Sequence, residues 1–357
     1  MPRPNSTARS ASSGASTVTE IARLAGVSVA TVSRVMNDPS IVRAETAAAV
    51  RAAMEQVNYR PRGRGRARGG SSESTHLAFV TLGYPGEHWR SLPVLVDALA
   101  GANREASERG HSLRVEALPE NVTDSPLLRD RSLSGALVMM AHHIKAQRLL
   151  DLAAPGLPIV RVMGIAQEAQ PFDHVTFDNH LIGRVAFDYL AAGGCERFAF
   201  VTDQPARAFT RRRALAFVDA AAAAGKSVRH GLITDDAVFR LAVGSDLLLN
   251  PDPVALLREL LTAGTGMLGL FVPTDWEAVT FCKAIGSLGL TLGRDLLLIS
   301  CDNEQTRLAA LGQRPATIDI HPGEIGRLGV RRLLDRVARP DEPPTVVQIA
   351  PRLVLPD

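Results

Sequence analysis

Residues 17–37 read TVTEIARLAGVSVATVSRVMN, and this stretch decides the architecture of the amino-terminal end. Thr17-Val18-Thr19-Glu20 has the S/T-x-x-E spacing of a capping box, in which a hydroxyl and a carboxylate satisfy the free amides of a helix start. Ile21, Leu24 and Ala25 then fall on one helical face, and Gly26 supplies the positive φ that ends a helix at little cost. Val27 is expected to pack, and Ser28 is a second N-cap. The next helix, residues 29–36, turns Val32, Val35 and Met36 inward and ends at Asn37-Asp38-Pro39. Two short helices around a tight Ala25-Gly26-Val27-Ser28 turn are a helix-turn-helix signature, whose second helix enters the major groove. A third amphipathic helix from about Ala44 to Val57, with Val50, Ala53, Met54 and Val57 inward, closes a mini-core before Asn58, a residue that tolerates a left-handed end.

Charge sets this head apart from the rest. Residues 1–70 hold eleven arginines, no lysine and four acidic residues, a net +7, against 29 basic and 33 acidic residues beyond, a net −4. A basic head on a mildly acidic body suits a polyanion-binding module joined to a different domain. At 357 residues and 46% hydrophobic content the chain is long enough for two or three domains, and wholesale disorder is excluded. No apolar run approaches the roughly 18 residues of a membrane span, and the start has no secretory h-region. Cys195, Cys282 and Cys301 are too few for a disulfide framework and suit a reducing compartment, so a cytoplasmic protein is expected.

These residues carry a resemblance. The string AGVSVATVSRVMN, followed by VRAET and QVNYRP, resembles the head of the lactose/galactose-repressor (LacI/GalR) family of bacterial transcription regulators. The resemblance places Val29, Ala30 and Arg34 at base-reading positions. Arg34 can fork onto guanine O6/N7, while Val29 and Ala30 offer only apolar contact. Ser28, Thr31, Ser33 and Asn37, with Thr17 and Tyr59, are expected to hold phosphates, with a plain helix surface as the alternative for Thr31 and Ser33.

In the family, Y-R-P leads into a hinge helix of the type N-x-x-A-R-x-L, whose Leu wedges between base steps in the minor groove. Here the linker reads PRGRGRARGG over residues 61–70; Arg66 falls on the family's Arg, but Arg62, Gly65 and Arg68 replace Asn, Ala and Leu. Each Gly costs about 1 kcal/mol in a helix, so two readings stand. Either Arg62, Arg64 and Arg66 lie along phosphates or in a narrow minor groove, or the stretch is a solvated linker.

From His76 the pattern changes to short apolar runs alternating with amphipathic stretches. Strand candidates are residues 77–82, 113–117, 136–140, 159–163, 198–201, 267–272, 296–300 and 346–349; helix candidates include 92–109, 212–224, 253–262 and 277–288. Such alternation means βαβ units and doubly wound parallel sheets in two lobes. The resemblance implies a two-lobed body of the periplasmic-binding-protein type. The fold class expected is therefore α/β: a disordered tail over 1–15, a three-helix head over 16–60, a hinge linker over 61–75 and a body over 76–357. Lobe 1 is taken as about 76–177 with 303–321, and lobe 2 as about 178–302 with 322–357.

Ligands of such sheets bind beyond the carboxyl ends of the strands, where Asp203, Asp275 and Asp302 fall. Each is either a helix N-cap or part of a polar cleft. The resemblance extends over TFDN (176–179), RALAF (213–217), TD (274–275), SCDN (300–303) and PATI (315–318), with Ala216 in place of a family Gly and Cys195 in place of a family His. It implies that Arg213 clamps a small-molecule effector. With Asp275 as acceptor, Arg213 would form a donor–acceptor pair suited to a polyol. Tyr84, Phe177 and Trp276 could stack on a sugar, although Trp276 could equally be core.

Enzyme chemistry finds little support. His142-His143 would point to opposite faces of a strand end, Cys301 has no spaced His partner, and no G-x-S-x-G, H-E-x-x-H or Walker string occurs. No metal and no cofactor is expected. The reading is a non-enzymatic regulator with double-stranded operator DNA and a sugar-like effector as partners. The chain closes on a strand without a heptad tail, which favours a homodimer over a tetramer.

Overall fold

A computed structural model describes residues 20–37, 42–57, 76–84, 89, 92–165, 170–244 and 246–356. The chain divides into two compact units, Met1–Ser72 and Glu73–Asp357.

The first unit contains α1 (residues 20–24), α2 (Val29–Asn37) and α3 (Ala44–Gln56). Gly26 has φ +63°, and the Val27 and Gly26 amides turn back to the Ala22 and Arg23 carbonyls at 3.0 and 3.3 Å. That is the Schellman closure a C-terminal glycine permits. The Ser28 hydroxyl accepts the Thr31 amide at 3.1 Å, so Ser28 caps α2. Ile21, Ala22, Val32, Val35, Ala47, Val50, Ala53 and Met54 form the core. One expectation is corrected here: Leu24 is 40% exposed, and the small Ala22 takes the inward position beside Ile21. Thr17 of the expected capping box lies outside the described residues; Glu20 pairs with Arg23 at 3.1 Å.

The second unit holds two sheets. The first runs β12-β5-β4-β3-β1-β2, from β1 (His76–Leu82), β2 (Ser112–Leu118), β3 (Leu133–Met140), β4 (Ile159–Val162), β5 (Asp173–Phe177) and β12 (Val346–Ile349), all parallel. The second runs β13-β11-β10-β9-β6-β7-β8, from β6 (Arg197–Thr202), β7 (Val228–Leu232), β8 (Leu247–Leu249), β9 (Leu268–Phe271), β10 (Leu296–Cys301), β11 (Ala316–Asp319) and the antiparallel β13 (Arg352–Val354). In each sheet the first strand in sequence lies between the second and a later one, the doubly wound order. The helices are α4 (Pro93–Glu108), α5 (Ala146–Leu152), α6 (Asn179–Ala192), α7 (Ala208–Ala223), α8 (Ala237–Val243), α9 (Pro253–Thr262), α10 (Asp275–Ser287), α11 (Gln305–Leu308) and α12 (Pro322–Ala338).

The late segments are exchanged relative to the expected lobes. β11 pairs with β10, so residues 316–319 belong to the second sheet, whereas α12 packs on α4 and β12 pairs with β5 in the first. Glycines explain the α12 docking. A Cβ on Gly326 would lie 1.9 Å from the Ala98 carbonyl oxygen, and one on Gly101 would lie 1.9 Å from that of Gly323. Only backbone fits there. The fully buried Asp173 carboxylate adds Arg332 and Arg336 of α12 at 3.0 and 2.7 Å. The chain therefore crosses between lobes three times, at residues 177–179, 319–322 and 349–352. Each crossing leaves the carboxyl end of a strand, which brings the carboxyl edges of both sheets to one hinge.

Candidate functional site

In the first unit, Val29, Ala30 and Arg34 are exposed on α2 while Val32 and Val35 anchor its other face. Ser28 is exposed and Thr31 half-buried; their hydroxyls lie 2.9 Å apart. The helix therefore offers a polar start and an exposed guanidinium over a fixed apolar base. The side chains of Ser33 and Asn37, and Thr17, Tyr59, Arg62, Arg64 and Arg66 altogether, lie outside the described residues.

In the second unit, Arg213 is the centre of the hinge. It is 1% exposed on α7, where burial of so large a cation requires several partners. Nε donates to Asn179 Oδ1 at 3.1 Å, Nη1 to the Pro273 carbonyl, and both terminal nitrogens approach Asp302 Oδ1 at 3.5 Å. The guanidinium also lies 5.5 Å from the Phe177 ring centre and 5.0 Å from that of Phe209. It thus joins the last residue of β5, the start of α6 and the ends of β9 and β10.

Arg213 and Asp275 do not form the expected pair. Asp275 is fully buried and its oxygens accept from Ser300 Oγ, from Thr317 Oγ1 at 2.9 Å and from the Glu304 amide at 2.7 Å. It clasps β10, β11 and the following loop, and burial raises its carboxyl to about 6. The acid facing Arg213 is Asp302, whose φ of +108° is rare outside glycine. Burial pushes the Asp302 carboxyl up to about 7, against the opposing pull of Arg213.

None of the three strand-end aspartates is a helix N-cap. Thr274 caps α10, accepting the Glu277 amide at 3.2 Å, and Asp275 is that helix's first residue. The Asp203 amide donates to Glu277 Oε1 at 3.2 Å, while its own Oδ1 is buried without a hydrogen-bond partner among the described residues. Glu277 also accepts the Thr202 hydroxyl at 2.6 Å, and burial followed by the Asp203 carboxyl holds its pKa well above the usual range.

Tyr84 follows β1, partly buried, with its carbonyl accepting the Thr81 hydroxyl at 3.0 Å. Phe177 is 5% exposed at the first crossing. Trp276 is 47% exposed with the Arg307 guanidinium 4.4 Å from its ring centre, so the core-packing alternative is overturned. His143 pairs with Glu120 at 3.0 Å, and no group of three metal-binding side chains occurs among the described residues. Cys301 is fully buried and its thiol is raised well above the ordinary value by burial. Sequence reasoning missed Phe209 and Glu277, and it placed Asn179 in a motif without its bond to Arg213, because these roles depend on which neighbours surround them in space.

The family model "Bacterial regulatory proteins, lacI family" matches residues 17–62. The model "Periplasmic binding protein-like domain" matches residues 187–355. This chain belongs to the lacI family of bacterial regulatory proteins. Among its lacI-family relatives, the ribose operon repressor of Escherichia coli (strain K12) is 26% identical over 348 residues, covering 95% of this chain and 98% of that protein. The HTH-type transcriptional repressor PurR of Pasteurella multocida is 25% identical, covering 95% and 97%. The solved complex of the transcriptional regulator CelR with cellobiose has a TM-score of 0.59 at 22% identity, covering 95% of this chain and 98% of its own. The lac repressor dimer bound to operator and the anti-inducer ONPF has a TM-score of 0.58 at 20% identity, covering 94% and 96%. The lacI-family head thus falls on the helix-turn-helix unit, and no described helix is long and apolar enough to cross a membrane.

Proposed function

We propose that this chain is a sequence-specific, non-enzymatic transcriptional repressor of the bacterial cytoplasm whose operator affinity is set by a small sugar-like molecule between the two lobes. The observation that carries this reading is α2: capped by Ser28, anchored by Val32 and Val35, and exposing Val29, Ala30 and Arg34. Such a helix fits the major groove, and a homodimer would present two of them to an approximate palindrome. The similarity to an operon repressor and to structures holding an operator and cellobiose supports both partners.

Arg213, Asp302 and Phe177 form the effector clamp, with Tyr84 and Trp276 at its margins and Asp275 holding the frame. Because Arg213 contacts both lobes at the hinge, a ligand that engages it favours one lobe angle over another. The test is gel retardation of selected operator duplexes by the full chain. Arg34→Ala should lose about 1–3 kcal/mol of discrimination at one base pair per half-site. An unchanged sequence preference rejects the role given to Arg34, and the absence of any retarded duplex rejects the function.

A further inference from the structure

The carboxyl edges of the sheets carry more cationic groups than the effector clamp uses. Arg161 projects from β4 and is 5% exposed. Its Nη1 donates to the Gln170 side-chain carbonyl at 2.7 Å, its Nε is buried without a partner, and no ion pair to it occurs among the described residues. Across the hinge, α7 starts at Ala208 behind Arg207, which supplies no side-chain cap. In that first turn Thr210 is fully buried, and its hydroxyl has no hydrogen-bond partner among the described residues. Thr210 lies one turn before Arg213 on the same helical face.

Arg207 links the two sides. Its guanidinium lies 5.7 Å from the centre of the Phe209 ring, the ring that Arg213 also approaches. Tyr84, at the end of β1, sits in the fields of both Arg207 and Arg161. His142, after β3, sits in those of His143, Arg207 and Arg211. Arg211 donates to the Ala206 carbonyl at 2.8 Å, and neither it nor Arg207 has an ion pair among the described residues. Asp302 is tied to Arg213, and Glu120 is paired with His143.

A buried guanidinium without a counter-ion is costly, and a neutral sugar would leave it so. The open amides of a helix start favour negative charge at the same place. We propose that the effector carries an anionic group, a phosphate or carboxylate on a small sugar-like molecule, held by Arg161, Arg207, the Thr210 hydroxyl and the first amides of α7. This rests on the effector reading above and narrows its chemical class.

The test is calorimetry and thermal shift on the full chain with matched compounds. Glucose is compared with glucose 6-phosphate and gluconate, ribose with ribose 5-phosphate and ribonate, and inorganic phosphate is added alone. The anionic member of a set should bind at least about tenfold tighter than its neutral parent, and the phosphate and carboxylate arms identify the group. Arg161→Met and Arg207→Ala should each weaken that binding by about ten- to a hundredfold, the loss expected of a hydrogen bond to a charged group. Arg207 is exposed, so its variant keeps the test readable if Arg161→Met does not fold. A neutral parent that binds as tightly as its anionic derivatives overturns the anionic assignment and leaves the effector reading standing. No binding by any of these compounds, with operator affinity unaffected by all of them, overturns both.

Discussion

Asp302 and Asp275 sit at neighbouring strand ends with the same side chain, yet their surroundings give them different work. Asp275 is saturated by two hydroxyls and an amide, whereas Asp302 faces the Arg213 guanidinium at 3.5 Å within the same lobe. Burial raises Asp302 from 3.8 to about 7, so the folded chain holds a proton that the unfolded chain releases. Its effect is therefore a stability that falls as pH rises through that window. Asp302→Asn should flatten the decline in melting temperature between pH 4 and 7, leaving the smaller slope from Asp275; an unaltered profile would refute the assignment. Glu105 acts in the opposite sense. Its hydrogen bond from Arg331 leads the causes that hold it near 2, so its contribution is present above about 4.5 and lost as pH falls toward 2.

At the scale of elements, glycine decides which helices can touch. α4 and α12 approach so closely that the carbonyl of Ala98 occupies the place of a Gly326 side chain. Gly326→Ala must push the helices apart, and a loss of about 1–3 kcal/mol is expected, read as a lower urea midpoint. A midpoint within error of the wild type would show that the contact is looser than drawn. The same principle accounts for Ala216, which stands where the family has glycine. Its methyl lies 2.6 Å from where a Cβ on Gly183 of α6 would be, so the space between α6 and α7 is kept by the glycine opposite.

The whole molecule couples a basic head to a hinged body. A ligand that favours one lobe angle need contribute only about 1–3 kcal/mol of coupling to change operator occupancy. Arg213 touches both lobes, so Arg213→Ala should abolish the effect of ligand on operator affinity; a variant that responds like the wild type would remove Arg213 from the mechanism. The Arg-rich linker acts through charge. If Arg62, Arg64 and Arg66 lie along phosphates, replacing all three with Ala should lower the slope of log affinity against log salt by about 3. An unchanged slope supports the solvated-linker alternative instead.

The sequence by itself determined the helix-turn-helix, because Gly26, Ser28 and the spacing of Val32 and Val35 act within one or two turns of chain. It also determined the two-lobed α/β class, since buried parallel strands read as apolar runs and α9 ends where its periodicity does. The tertiary structure alone decided that β11 stays with the second sheet while α12 and β12 return to the first. β12 finds its partner β5 more than a hundred residues away, and a strand's own residues carry no label for such a partner. The choice between Asp275 and Asp302 was likewise invisible beforehand, because the role of a carboxylate is set by the donors that folding brings around it.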